Sequence, residues 1–427
     1  MTPSHWTRTL FLVVSLLGIS TGTLLAQATY RVSSLGTIGG TVSAGNSIDD
    51  ISLVSGTSTI DASDSVIHAT LWTYGRAFDL GTLGGPNSGV LWPDHNIFGV
   101  TSGVSETPEM DPLGEAWSCS AFFPSVTGHV CRGFVWRWGR MASLPTFGGT
   151  NGYAAGDNNL GQIVGWAETT VRDATCISPQ VLQFEAAQWD ATGAIHEFRP
   201  LPGDPDGAAT AINDAGQAVG ISGLCYDAVG AATAEHMVLW EHGIPTQIPA
   251  LGGNDWNTPT DINDHGQVTG FADLPGDSPT SPNFHAFFWS RETGTIDLGT
   301  LSGDVYSEGL GINSAGQVVG ESCSAGFAVC RAFLWEHGKM TDLNTLVEPG
   351  SSLYLNFAND INDFGQISGG ATDSTNGTTP AFLAVPQSGS DRDGSGQARS
   401  ETNAPQMPEH LREALARRFG MRLSDLK

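Results

Sequence analysis

Between Val100 and Val130 the chain carries Glu106, Glu109, Asp111 and Glu115 without a single Lys or Arg. Carboxylates are hard oxygen donors of the kind Ca²⁺ takes, so these four are the candidate ligands for Ca²⁺ or for a cationic group. The competing reading is a solvated acidic loop. Trp117, Phe122 and Phe123 lie in the same stretch, off the repeat pattern described below, and are the candidates for stacking a ligand. His68, His236 and His285 recur at equivalent places in separate repeats, so they cannot converge on one metal and read as structural. The Trp-Glu-His-Gly pairs at Trp240 and Trp335 read as surface turns for the same reason. The one Gly-x-Ser-x-Gly match, Gly18 to Gly22, falls in an N-terminal apolar stretch, and no His-Glu-x-x-His, Cys-x-x-Cys or phosphate-binding loop occurs. The pattern points away from catalysis and toward binding.

What must position such loops is a repeat of about 50 residues. Its core, Ile-Asn-Asp-x-Gly-Gln-Val-Val-Gly, runs through Gln162, Gln217, Gln267, Gln317 and Gln366, and a period of this size marks one supersecondary unit. The unit from Gly309 to Leu346 offers four short strands separated by Gly, Asn and Asp. The second strand closes on a glycine at Gly56, Gly99, Gly165, Gly220, Gly270, Gly320 and Gly369, and the third ends in Trp72, Trp136, Trp189, Trp240, Trp289 and Trp335. The seventh unit lacks a fourth strand after Val385, whereas Tyr30 to Gly36 has the fourth-strand pattern and precedes any first strand. An N-terminal strand that completes the last unit closes a ring and removes exposed edges. The expected fold is therefore all-β: a seven-bladed β-propeller over residues 29–386. An open solenoid is the rival arrangement, and it leaves the strand count at both ends unexplained.

Three motifs recur in fixed order: Asp-Leu-Gly-Thr-Leu-Gly-Gly at Asp79 to Gly85, Ile-Asn-Ser-Ala-Gly-Gln-Val-Val-Gly at Ile312 to Gly320, and His-Ala-Phe-Phe-Trp at His285 to Trp289. In these the chain resembles the HAF-repeat extracellular proteins over roughly Tyr30 to Val385. The resemblance implies export and repetition and brings no catalytic residues with it. Units one and two depart from the pattern, with Asp49-Asp50-Ile51 and Pro93-Asp94-His95 at the Asn and Gly-Gln positions.

Arg8, the apolar run from Leu10 to Leu17 and the small residues before Thr29 form a signal-peptide pattern over residues 1–28. The expected product is secreted or periplasmic, with no integral membrane segment in its mature form. Lys plus Arg number 18 against 44 Asp plus Glu, a net charge of −26, which repels nucleic acid. Six cysteines in an exported chain imply disulfides: Cys119 with Cys131 and Cys323 with Cys330 within units, and Cys176 with Cys225 between neighbouring units. Sequence alone leaves other connectivities open. Residues 387–406 read as a flexible Ser/Gly-rich linker and residues 407–427 as a short basic amphipathic helix, marginal by itself. Three roles follow as expectations: a non-catalytic scaffold binding an extracellular protein or polysaccharide through loops between second and third strands, a carbohydrate-active hydrolase or lyase with a loop-built site, or an assembly unit using the tail helix.

Overall fold

A computed structural model describes residues 28–94, 96–115, 121–226, 234–253, 256–276, 283–387 and 404–418. Seven four-stranded antiparallel sheets are arranged as the blades of a propeller. Blades one to six run in simple strand order, from Ser43–Ile48 in blade 1 to Lys339–Asp342 in blade 6. Blade 7 takes Leu353–Ile361, Ile367–Asp373 and Ala381–Gln387 from the end of the chain and Thr29–Gly36 from its beginning. Tyr30 pairs with Pro386 and Val32 with Ala384 in that closure. The ring thus has no free edge strand between its first and last blades.

The first strands of blades 1 and 3 to 7 bulge at the same place, as between Gly309 and Gly311 or Ala209 and Ala211. The bulge explains the invariant glycine opposite it. A β-carbon on Gly320 would collide with the Glu308 carbonyl oxygen, and one on Gly165 with that of Tyr153. In blade 2 this role belongs to Gly103, which pairs with Phe134 and faces the Gly89 carbonyl, and not to Gly99 as the sequence spacing implied. Gly99 has φ +71° with open space around it and is a turn residue like Gly316, φ +73°. Asn96, rather than Pro93-Asp94-His95, fills the asparagine position there, its Oδ1 accepting from Phe98 N at 2.8 Å.

The third-strand tryptophans pack between blades. Trp72, Trp189 and Trp240 are buried, and the indole N–H groups of Trp189 and Trp240 reach back to the carbonyls of Pro145 and Arg199 in the connection from the preceding blade. A larger apolar layer lies where the second-to-third-strand loops gather, and Met407 and Leu415 of the tail are buried in it. The tail helix, Glu409–Arg418, is held there by Met407 N to Ala328 O at 2.9 Å and Arg412 Nη2 to Gly326 O at 2.9 Å. The apolar stripe of the tail is therefore covered by the propeller of its own chain. Among the described residues no helix is long and apolar enough to cross a membrane.

Candidate functional site

The axis of the ring has two different ends. At the hairpin end, the Ile-Asn-Asp-x-Gly-Gln motif is consumed by a hydrogen-bonded belt. The Asn213 Oδ1 accepts from Gln217 N, and its Nδ2 donates to Gln217 Oε1 at 2.8 Å and to the Asn263 carbonyl at 2.9 Å. The same bond from one blade to the next joins Asn96 to Asn158, Asn158 to Asn213, Asn263 to Asn313, Asn313 to Asn362 and Asn362 to Asp49. One residue further on, Asp214, Asp264, Asp363 and Asp50 surround the axial opening. Three of them accept backbone N–H groups of the preceding blade: Asp214 from Asn159, Asp264 from Asp214 and Asp363 from Ser314, at 2.7–2.9 Å. Asp50 takes the N–H of Asp363 in the same way. The same side chains therefore bond both within their own hairpins and to the next blade.

The turn glutamates of the Trp-Glu-His-Gly motifs are also structural. Glu241 accepts from Gln217 Nε2 at 2.7 Å and Glu336 from Gln317 Nε2 at 2.8 Å. The third-strand histidines bind fourth-strand or inter-blade carboxylates: His68 to Asp79, His285 to Asp297 and His236 to Asp204, each at 2.9 Å. The His-Ala-Phe and Asp-Leu-Gly motifs are thus two halves of one lock.

At the loop end the axis opens into an apolar pocket. Its aromatic lining is Trp92, Phe122, Tyr153, Trp166 and Phe271, with Thr210 and Thr258 as polar contributors. The Phe122 ring lies 5.7 Å from that of Tyr153, which stacks on Trp166 at 6.4 Å and 12°. Trp92 and Phe122 also line an adjoining cavity with Asn46 and Asn359. The lining side chains come from the first and second strands of blades 3 to 5, and in blade 2 Phe122 comes from the second-to-third-strand loop and Trp92 from the segment between first and second strands. Trp166, Ile221 and Phe271 each follow the packing glycine of their blade, a position held by Thr57, Val104, Glu321 and Gly370 elsewhere. That variation at a fixed place in the repeat was the available signal.

Of the residues singled out from the sequence, Phe122 reaches the pocket, whereas Phe123 is fully buried in the core and anchors the loop. Trp117 and Cys119 lie outside the described residues. The four acidic residues do not gather. Glu106 is buried and accepts the backbone N–H and the amide of Asn87, together with the Thr127 hydroxyl. Glu109 is exposed. Asp111 caps its own turn and accepts from Asn151 Nδ2 at 2.8 Å. Glu115 receives Val181 N and Leu182 N of blade 3, and burial, with the nearby Glu168 and Asp111, pushes its carboxyl up to about 7. Glu106, Asp111 and Glu115 tie the long loop to its neighbours. Among the described residues, the only three potential metal ligands held close together are Glu321, Cys323 and Cys330, and the two cysteines are joined in a disulfide. The Cys176–Cys225 bridge is present as well, and Cys131 is disulfide-bonded.

No family model matches the chain, and no curated protein matches it. Solved structures with a similar fold include a streptogramin B lyase, at 11% identity and a TM-score of 0.43 over 84% of this chain and 98% of that one. An oligogalacturonate lyase in complex with manganese has 14% identity and a TM-score of 0.41 over 84% and 91%. A Trypanosoma rangeli sialidase in complex with the inhibitor DANA has 10% identity and a TM-score of 0.34 over 69% and 54%. At these levels nothing about activity passes from those proteins to this chain.

Proposed function

We propose that this chain is an exported, non-catalytic propeller that binds an extracellular ligand at its loop end, with the axial aromatic pocket as the central subsite. The observation that carries the reading is the lining of that pocket: among the described residues it holds aromatic rings with two threonines and no Asp, Glu, His, Cys or Lys. Such a surface suits stacking against a flat, mostly apolar face. A sugar ring of a polysaccharide presents that kind of face, so polysaccharides are the first class to test. Export is supported by the Cys176–Cys225 and Cys323–Cys330 bridges, since disulfides persist in oxidising compartments.

The test is the thermal midpoint of the chain from Thr29 against a panel of polysaccharides, because a ligand of the native state raises it. One class should raise the midpoint, and Phe122→Ala should remove most of that rise. An unshifted midpoint across the panel, or a rise that Phe122→Ala leaves intact, rejects the pocket as the site.

A further inference from the structure

The aromatic pocket at the loop end holds two threonines, and their hydroxyls are used differently. The Thr210 hydroxyl donates to the Pro259 carbonyl of the next blade at 2.7 Å and lies 3.2 Å from the Val219 carbonyl. Thr260 makes the same bond one blade further on, to Gly309 O at 2.7 Å. These hydroxyls hold blade to blade. Thr258 pairs instead with Phe271 across the first two strands of blade 5, and both residues line the pocket. It is 6% exposed, and among the described residues its Oγ1 meets no hydrogen-bond partner. Buried hydroxyls are ordinarily satisfied. One that is left over in a pocket lined by Trp166, Ile221 and Phe271 is a polar atom that folding does not use.

The adjoining cavity shares the Trp92 and Phe122 wall and adds two amides. Asn359 donates through Nδ2 to Gly45 O at 3.3 Å and to Asn46 Oδ1 at 2.8 Å, and Asn46 Nδ2 donates to Val90 O at 2.7 Å. What the Asn359 amide has left to offer a ligand is its oxygen. Among the described residues no Asp, Glu, Lys, Arg or His lines either cavity. In the next blade round the ring the register pair equivalent to Thr258 and Phe271 is Glu308 opposite Glu321, both buried. A carboxylate or sulfate on a ligand would therefore lose its hydration here with no counter-charge to replace it.

On the reading that this pocket is the ligand site, we propose that Thr258 is its polar anchor and that the ligand is an uncharged glycan: a pyranose ring stacks on the aromatic wall while one of its hydroxyls pairs with Thr258 Oγ1. A sugar hydroxyl donates and accepts, as the threonine hydroxyl does, and the C–H face of the ring suits the aromatic side chains. Asn359 Oδ1 is the acceptor for a second hydroxyl, reached past the shared Trp92 and Phe122 wall.

The experiment is calorimetric titration of the chain from Thr29, with thermal midpoints in parallel, using maltohexaose and cellohexaose as uncharged probes, hexagalacturonic acid as an acidic one and a glucosamine hexamer as a cationic one. An uncharged probe should bind and raise the midpoint, Phe122→Ala should remove that rise, and the charged probes should give none. Thr258→Val, which keeps the shape and removes the hydroxyl, should weaken binding about tenfold, the worth of one hydrogen bond, and Thr258→Ser should retain it. If Thr258→Val fails to fold, Thr258→Ala carries the binding comparison. Without ligand Thr258→Val should keep or raise the midpoint, because no bond within the fold is lost; a fall would show the hydroxyl bonded inside the protein and overturn the proposal. Binding that depends on Phe122 but survives Thr258→Val, or that appears with a charged probe alone, overturns the anchor and leaves the pocket as the ligand site. A panel with no Phe122-dependent rise removes the pocket as the site and the anchor with it.

Discussion

The side-chain amide of Asn362 donates to the carbonyl oxygen of Asp49 at 2.9 Å, across 313 residues of sequence. That bond carries the asparagine belt from the last blade to the first, beside the strand closure made by Thr29–Gly36. The belt then stops. Asp49 has no side-chain N–H to pass to Asn96, its Oδ2 is buried without a partner, and burial pushes its carboxyl up to about 6. Asp49→Asn should complete the belt and stabilise the protein at pH 7 by about 1 kcal/mol, the net worth of one hydrogen bond. Asn362→Ala should do the opposite, by about 1–3 kcal/mol, because it leaves buried partners unpaired. Urea unfolding of both variants checks this, and equal midpoints for Asp49→Asn and the parent would reject the belt as a source of stability.

The pH dependence follows from carboxyls that are buried and raised. Asp49 is pushed up to about 6, Glu115 and Asp206 to about 7 and Glu185 to about 8, in every case mainly by burial. A raised carboxyl holds its proton in the folded chain after the unfolded chain has lost it near pH 4. Its stabilising contribution is complete below that value and disappears as pH rises through the folded pKa. Hydrogen bonds from Ser63 and Ser65 to Asp61, and from Thr375 to Asp373, hold those groups below the usual carboxylate range, so they are silent above pH 5. The midpoint should therefore fall steadily from pH 5 to pH 8.5. A flat or rising profile over that interval would contradict the burial of these groups.

Blade 6 contains the most enclosed ion-pair lock. Arg331 is 6% exposed and bonds Asp304 at 2.8 Å, with Asp342 at 3.6 Å. Removing one partner strands buried charge, so Arg331→Ala should cost about 3–5 kcal/mol. His285→Ala removes an equivalent lock whose aspartate is 42% exposed, and its cost should stay within about 1 kcal/mol. Chemical denaturation of the two variants side by side measures the contrast.

How much of this was readable from the sequence depends on whether the information repeats. The blade count, the swapped strand and the disulfides Cys176–Cys225 and Cys323–Cys330 are properties of a repeat and its exceptions, and the structure contains them. Gly99 and Gly103 were exchanged in blade 2 because both are glycines at nearly the right spacing; only the close approach of the Gly89 carbonyl and the Phe134 ring to Gly103 separates packing from turning. The aromatic pocket was hidden because ring closure, rather than any local pattern, brings Trp92, Tyr153 and Phe271 to the axis. Neighbouring Phe122 and Phe123 carried the same composition signal and point to opposite environments, one lining the pocket and one in the core.

The tail helix gives the last prediction. At 10 residues it is too short to persist alone, so its order is that of the surface beneath it. Met407 and Leu415 are buried in the loop-end apolar layer, Leu411 packs against it, and His410 meets the Thr379 hydroxyl at 3.1 Å. Burying a side chain such as Leu415 contributes about 1.5–3 kcal/mol, enough to hold a tethered segment and small beside the cohesion of seven blades. Leu415→Asp should therefore free residues 409–418 to exchange their amide hydrogens rapidly while the strands of blades 2 to 5 keep their protection, the signature of local unfolding. A matching loss of protection in the strands would mean that the helix is an integral part of the ring. Because the helix and the aromatic pocket belong to one apolar layer, the same variant also tests their independence: polysaccharide binding read by the Phe122-dependent midpoint rise should survive release of the helix.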